Sequence, residues 1–185
     1  MATFTSVRLA DPNGVHLIEI ANYSKLSYVL NCSPGGIGVL ELTLPTSFDT
    51  SLLMRNGRMG VWRSIDGRPP YLDNGAIYLI ETFVSTATAT FVRAYHATCI
   101  MARRIIAYYA GSTYASKTGP ADDLIKAFWN ENAGAGVTAT RDADLANVDI
   151  SAYVSLQANL SQGVSIIKEA CRRNLLETAR ECAIF

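Results

Sequence analysis

The segment Gly38-Val39-Leu40-Glu41-Leu42-Thr43-Leu44 has leucine at every second position, with Val39, Glu41 and Thr43 between. Successive side chains of an extended strand point to opposite faces, so this spacing describes a half-buried strand. The same alternation occurs in Val15-His16-Leu17-Ile18-Glu19-Ile20 and Leu26-Ser27-Tyr28-Val29-Leu30. The turn-forming runs Asp11-Pro12-Asn13-Gly14 and Ser33-Pro34-Gly35-Gly36 flank these segments. Residues 58–63 read as another strand, closed by Asp66-Gly67-Arg68-Pro69-Pro70, where two prolines cannot donate to a central ladder. Residues 76–83 and 87–95, rich in β-branched and aromatic side chains, read as a hairpin. Six or seven strands before residue 97, antiparallel between sequential neighbours, predict a small barrel or sandwich.

The second half has a different pattern. Residues 96–104 have room for one or two helical turns, and 105–109 read as a strand. In Lys117-Thr118-Gly119-Pro120-Ala121-Asp122-Asp123, Pro120 suits a first helical position and the two aspartates suit the positive end of the helix dipole. That helix should bury Leu124, Ile125 and Phe128, run to about Asn132, and stop at Gly134 or Gly136. The spacing of Val164, Ile167, Cys171, Leu175, Thr178 and Cys182 predicts a last helix starting after Ser161 or Gly163. It ends in the apolar Ala183-Ile184-Phe185, which reads either as a docking end or as a point where more chain follows. The expected class is therefore α+β: a β-rich domain over 1–96 and a helix-containing α+β domain over 97–185.

Composition narrows the function. Hydrophobic residues make up 49 % of the 185 and charged residues 17 %, which fills a core and excludes a disordered tail. Sixteen basic and sixteen acidic residues leave no net charge, which argues against a protein that grips nucleic acid or anionic membrane. Neutrality also removes the repulsion that keeps small monomers apart, so self-association is expected. The start of the chain lacks the pattern of a secretory signal, and the longest uncharged stretch, 150–167, is too polar for a membrane span. The scattered Cys32, Cys99, Cys171 and Cys182 read as reduced thiols of a protein made in a reducing cytosol.

No catalytic constellation stands out. Lys117-Thr118-Gly119 and Ser165-Ile166-Ile167-Lys168 match two short motifs of serine β-lactamases and penicillin-binding proteins, but in reversed order and without the Ser-Asp-Asn element. Lys-Thr-Gly is also expected here to open a helix, whereas those enzymes hold it on a strand. His96 and Cys99 lack a second ligand pair at zinc spacing, and His16 has no nearby nucleophile. Neither cofactor nor metal is expected. Charge blocks are more informative: residues 50–110 carry a balance of +4 and residues 111–160 one of −3. Opposite fields orient docking between copies. Arg55, Arg58, Arg63 and Arg68 around Trp62, together with Phe185, are the candidate subunit interface, since Arg and Trp favour interfaces.

Asp11-Pro12-Asn13-Gly14-Val15-His16-Leu17, then Gly38 to Pro45, then Gly57-Arg58-Met59-Gly60-Val61-Trp62-Arg63 resemble the opening of tail hub proteins of long-tailed bacteriophages. The resemblance continues through Arg103-Arg104-Ile105-Ile106-Ala107-Tyr108, Ala110-Gly111-Ser112 and Lys117 to Asp123, and it covers roughly residues 7–130. It implies a barrel of the tail-tube type and a ring, commonly a trimer, at the virion's tail tip. The implied partners are the tail tube, the distal tail protein and tip or fibre proteins, with the tape-measure protein or DNA passing through the lumen. The chain itself would insert in no membrane and would be made in the host bacterial cytoplasm. A lumen that lets DNA slide should be acidic or neutral, which would turn the 55–68 arginines toward neighbouring subunits. Two other readings stand beside this one: a tail-associated cell-wall hydrolase, and a receptor- or carbohydrate-binding adhesin exposing Trp62 or Trp129 in a cleft.

Overall fold

The computed structural model describes residues 3–30, 36–107, 114–137, 149–152, 154 and 156–184. The chain divides into two compact units, Met1–Ala97 and Thr98–Phe185.

Among the described residues the first unit contains seven strands, β1 (Thr3–Ala10), β2 (His16–Ile20), β3 (Lys25–Val29), β4 (Val39–Leu44), β5 (Arg58–Ile65), β6 (Tyr71–Ser85) and β7 (Thr90–His96). They form one antiparallel sheet in the order β2-β1-β5-β6-β7-β4-β3. The two edge strands, β2 and β3, are consecutive in the chain and joined by residues 21–24 alone. In a flat seven-stranded sheet the edges would lie about 29 Å apart, whereas five extended peptide steps span at most about 18 Å. The short connection forces the sheet to curl, and it is a half-barrel.

Its concave side holds the core. Val7 and Leu9, Leu40, Leu42 and Leu44, Met59 and Val61, Tyr78 and Ile80, and Val92 and Ala94 are buried together. Each set repeats at every second residue, as the strand period requires. β6 departs from that regularity twice. Between the pairs Trp62↔Leu72 and Gly60↔Ile77 it carries extra residues, with Asn74 and Gly75 at φ 54° and 61°. A second irregularity at Glu81, between the pairs Ile80↔Ala94 and Thr82↔Arg93, switches the faces of the residues that follow, so that Thr82 shares the outward face with Arg93. β1 has no counterpart among the expected strands, although Val7 and Leu9 alternate as cleanly as the rest.

The second unit pairs β8 (Ala115–Pro120) with β9 (Ser165–Ala170) antiparallel. Among the described residues it also holds the helices α1 (Cys99–Ala102), α2 (Ala121–Ala133) and α3 (Leu175–Ala183). Ile106, Ala115, Phe128, Trp129, Ala133, Ala170 and Leu175 form its core. Asn132 is buried inside α2, where its amide donates to the Phe128 carbonyl (2.7 Å) and accepts from the Ala107 N–H (2.8 Å). α2 runs to Ala133 with Gly134 after it, as the sequence indicates.

Two expectations need correction. The last helix does not begin near Ser161: residues 165–170 are strand, and α3 starts at Leu175, capped by the Asn174 side chain on the N–H groups of Leu176 and Glu177. Cross-strand pairing with β8 outweighs the three-and-four spacing of Val164, Ile167 and Cys171. Of the strand expected over 105–109, Ile105 makes a single bridge to Asn174, and Tyr108 and Tyr109 lie outside the described residues.

Candidate interaction surface

Strand alternation divides the arginine–tryptophan cluster. On β5 the inward positions are Met59, Val61 and Arg63, and the outward ones are Arg58, Gly60 and Trp62. The Arg58 guanidinium donates to the Pro12 carbonyl from Nε (3.2 Å) and Nη2 (3.1 Å), pinning the 11–14 turn. Arg55 is exposed and pairs with Glu81 at 3.0 Å. The Trp62 ring lies under the Arg8 guanidinium, 4.0 Å from its centroid. Arg68 lines a recess of about 440 Å³ beside Ile65, Asp66, Pro69 and Tyr71. Phe185 lies outside the described residues. Arg63 and Trp62 thus point to opposite sides of β5, so the arginine–tryptophan cluster does not converge on one face.

Arg63 instead takes part in a clamp across the half-barrel. Tyr28 on edge strand β3 accepts a hydrogen bond from Arg63 Nη2 and donates to Asp73 on β6, while Arg63 Nε lies 3.2 Å from Asp73 Oδ2. β3 is four strands from β5 through the sheet, so the contact crosses the concave side. Tyr23 adds a second tie, donating to the Thr5 carbonyl on β1 at 3.2 Å. Burial raises the pKa of the Tyr28 hydroxyl, and Asp73 acts in the same direction. Tyr78 is almost wholly buried, its hydroxyl pKa is raised by the same cause, and that hydroxyl has no hydrogen-bond partner among the described residues. His96 meets the Tyr78 ring edge-on, with centroids 5.8 Å apart, and burial lowers its pKa. These groups hold a curled sheet together.

In the second unit Lys-Thr-Gly lies on a strand, β8, rather than at a helix start. β9 pairs with it so that Lys117 faces Lys168 and Pro120 faces Ser165. The two lysines are half-buried and are neutralised from different helices, Lys117 by Glu131 of α2 and Lys168 by Glu181 of α3. Arg173 also pairs with Glu181 (2.5 Å). Ser165 stands three residues from Lys168 on one strand, so the two side chains point to opposite faces and the lysine cannot serve as its base. Asp122 and Asp123 do more than face the helix dipole. Asp122 accepts from the Gln162 (2.7 Å) and Leu160 (3.3 Å) N–H groups, and Asp123 from Ser161, strapping the chain before β9 onto α2. Trp129 is buried, so it is not a cleft aromatic.

Among the described residues no three His, Cys, Asp or Glu side chains are grouped to hold a metal, and no helix is long and apolar enough to cross a membrane. Cys99 and Cys182 are buried free thiols, Cys171 is a half-buried one, and Cys32 lies outside the described residues.

The surface that sequence reasoning passed over is the convex face of β6, β7, β4 and β3. Its rows follow from the register: Val84, Phe91, Thr43, Lys25, then Thr82, Arg93, Glu41, Ser27, then Tyr95, Val39, Val29. Val84 and Val29 are each 58 % exposed and Phe91 49 %. A shallow groove of about 340 Å³ runs along it. The signal was present in Phe91, Arg93 and Tyr95, which alternate with the buried Val92 and Ala94. No family model and no curated protein matches this sequence.

Proposed function

We propose that this chain is a structural virion protein, a tail hub component of a long-tailed bacteriophage that assembles as a ring at the distal end of the tail tube. The observation that carries the reading is the half-barrel's two edges, β2 and β3, each five residues long and unpaired on its outer side among the described residues. An exposed edge presents unsatisfied N–H and C=O groups and serves as a template for another chain's strand. The half-barrel takes the place of the tail-tube barrel in this reading, and the ordered series of motifs from Asp11 to Asp123 supplies the link to tail hubs. Net neutrality favours a subunit that works surrounded by copies.

In such a ring, of which a trimer is the favoured form, the chain contacts the distal tail protein and anchors tip or fibre proteins. DNA passes without being held, because a neutral chain offers no surplus of phosphate-binding cations. Mass determination in solution, with and without the neighbouring tail proteins, tests the reading. Assembly into a defined ring is expected, and a monomer under every condition sinks it. A map of the assembled tail with Arg55 and Arg58 pointing into the bore would overturn the charge argument.

A further inference from the structure

The sequence holds three Asn-Gly pairs, at 13–14, 56–57 and 74–75, and each of these asparagines is exposed. In such a pair the main chain can attack the asparagine side chain, because glycine has no side chain to shield its nitrogen. The Gly nitrogen bonds to the Asn Cγ and gives up its proton, and the side-chain amide leaves as ammonia. Water then opens the five-membered imide at either carbonyl, leaving an aspartate or an isoaspartate. Ring closure needs a Gly N–H free of hydrogen bonds and a peptide free to turn. We propose that Asn74 is a site of this self-modification, and that the fold protects Asn13 and Asn56.

Hydrogen bonding separates the three pairs. The Gly57 N–H donates to the Met54 carbonyl (2.9 Å), the Asn56 N–H donates to the Ile80 carbonyl (2.8 Å), and the Gly57 carbonyl accepts from the Ile80 N–H (2.9 Å). Gly57 is buried besides. The Gly14 N–H donates to the Asp11 carbonyl (3.0 Å), and the Val15 N–H donates to the Asp11 carboxylate (2.8 Å). Arg58 holds the same turn at the Pro12 carbonyl. Asn74 and Gly75 are placed differently. They lie in the extra stretch of β6 between the pairs Trp62↔Leu72 and Gly60↔Ile77, so no ladder residue stands opposite them. The Asn74 side chain makes no hydrogen bond among the described residues. Gly75 is exposed, and a Cβ added there would meet nothing within 4 Å. The positive φ of both residues is that of a tight Asn-Gly turn, which presents the pair at its tip. Conversion places a new carboxylate next to Asp73, the residue that holds Tyr28 and Arg63, and moves the formal net charge from zero to −1.

Peptide mass mapping of the full chain, held in mildly alkaline buffer and sampled over time, tests the proposal. Each hydrogen bond that must open before ring closure costs about a factor of ten in rate. In the folded protein Asn74 should therefore convert first, at least about tenfold faster than Asn13 or Asn56. In urea, where those bonds are gone, the three sites should convert at comparable rates. Asn74→Gln should remove the fast conversion, since glutamine would have to close a six-membered ring. An Asn74 that converts no faster than the other two in the folded chain overturns the proposal. The same ranking in urea overturns it as well, because the preference would then belong to the flanking sequence and not to the fold. Neither step involves an assembly partner, so the result is independent of the hub reading.

Discussion

Tyr28 performs a task that its place on an edge strand conceals. Its hydroxyl joins Arg63 to Asp73 across the concave side of the sheet. Tyr28→Phe should therefore destabilise the first unit by about 1–3 kcal/mol, since it leaves two partly buried charged groups short of a partner. Urea denaturation measures this, and an unchanged midpoint would mean that the clamp contributes nothing. His96 makes a second prediction at this scale. Burial lowers its pKa below the unfolded value of 6.5, so the folded state favours the neutral ring. The resulting stability is fully present above that value and is lost as pH falls from about 6.5 through the folded pKa. His96→Phe should flatten the slope of stability against pH on the acid side, and a slope unchanged by the substitution would count against the argument. Glu181, with its pKa lowered chiefly by Lys168, works in the same sense further down: its contribution is present above 4.5 and lost in stronger acid.

Elements show where local pattern and long-range pairing disagree. Leu40, Leu42 and Leu44 are legible as one buried face because alternation is a property of the strand alone. Val164, Ile167 and Cys171 mislead because three-and-four spacing over a few residues also fits an exposed strand followed by a turn. Ile167 is 71 % exposed, which a core-facing helical position would not allow. Ile167→Thr should change stability by no more than about 0.5 kcal/mol, whereas Leu175→Ala, at a fully buried site, should cost about 2–5 kcal/mol. A large loss from the first substitution would revive the longer helix. Asn174→Ala removes both the cap on α3 and a hydrogen bond to the Ala102 carbonyl (2.6 Å), and should cost about 1–2 kcal/mol in the same assay. The cluster around Trp62 was legible as residue types favoured at interfaces. Its dispersal was not, because neighbouring positions on a strand point to opposite faces: Arg63 is inside and Trp62 outside.

Across the whole molecule, each unit has its own hydrophobic core, one of residues drawn from 7–94 and one from residues beyond 100. A fragment ending at Ala97 keeps all seven strands and should unfold cooperatively on heating, as followed by circular dichroism. A broad, non-cooperative melt would show that the second unit is required. The sequence alone determined that β2 to β7 are strands, the position of α2, and a neutral charge balance divided into blocks, because periodicity, helix-end chemistry and ionisation are local properties. Tertiary structure decided that β2 and β3 form opposite edges of one curled sheet. It also decided that Tyr28 closes the half-barrel, that Lys117 and Lys168 face each other, and that Phe91, Arg93 and Glu41 share an open face. Each of these depends on which distant segments pair and in what register, a choice made by the combined burial of many residues and encoded in no single segment.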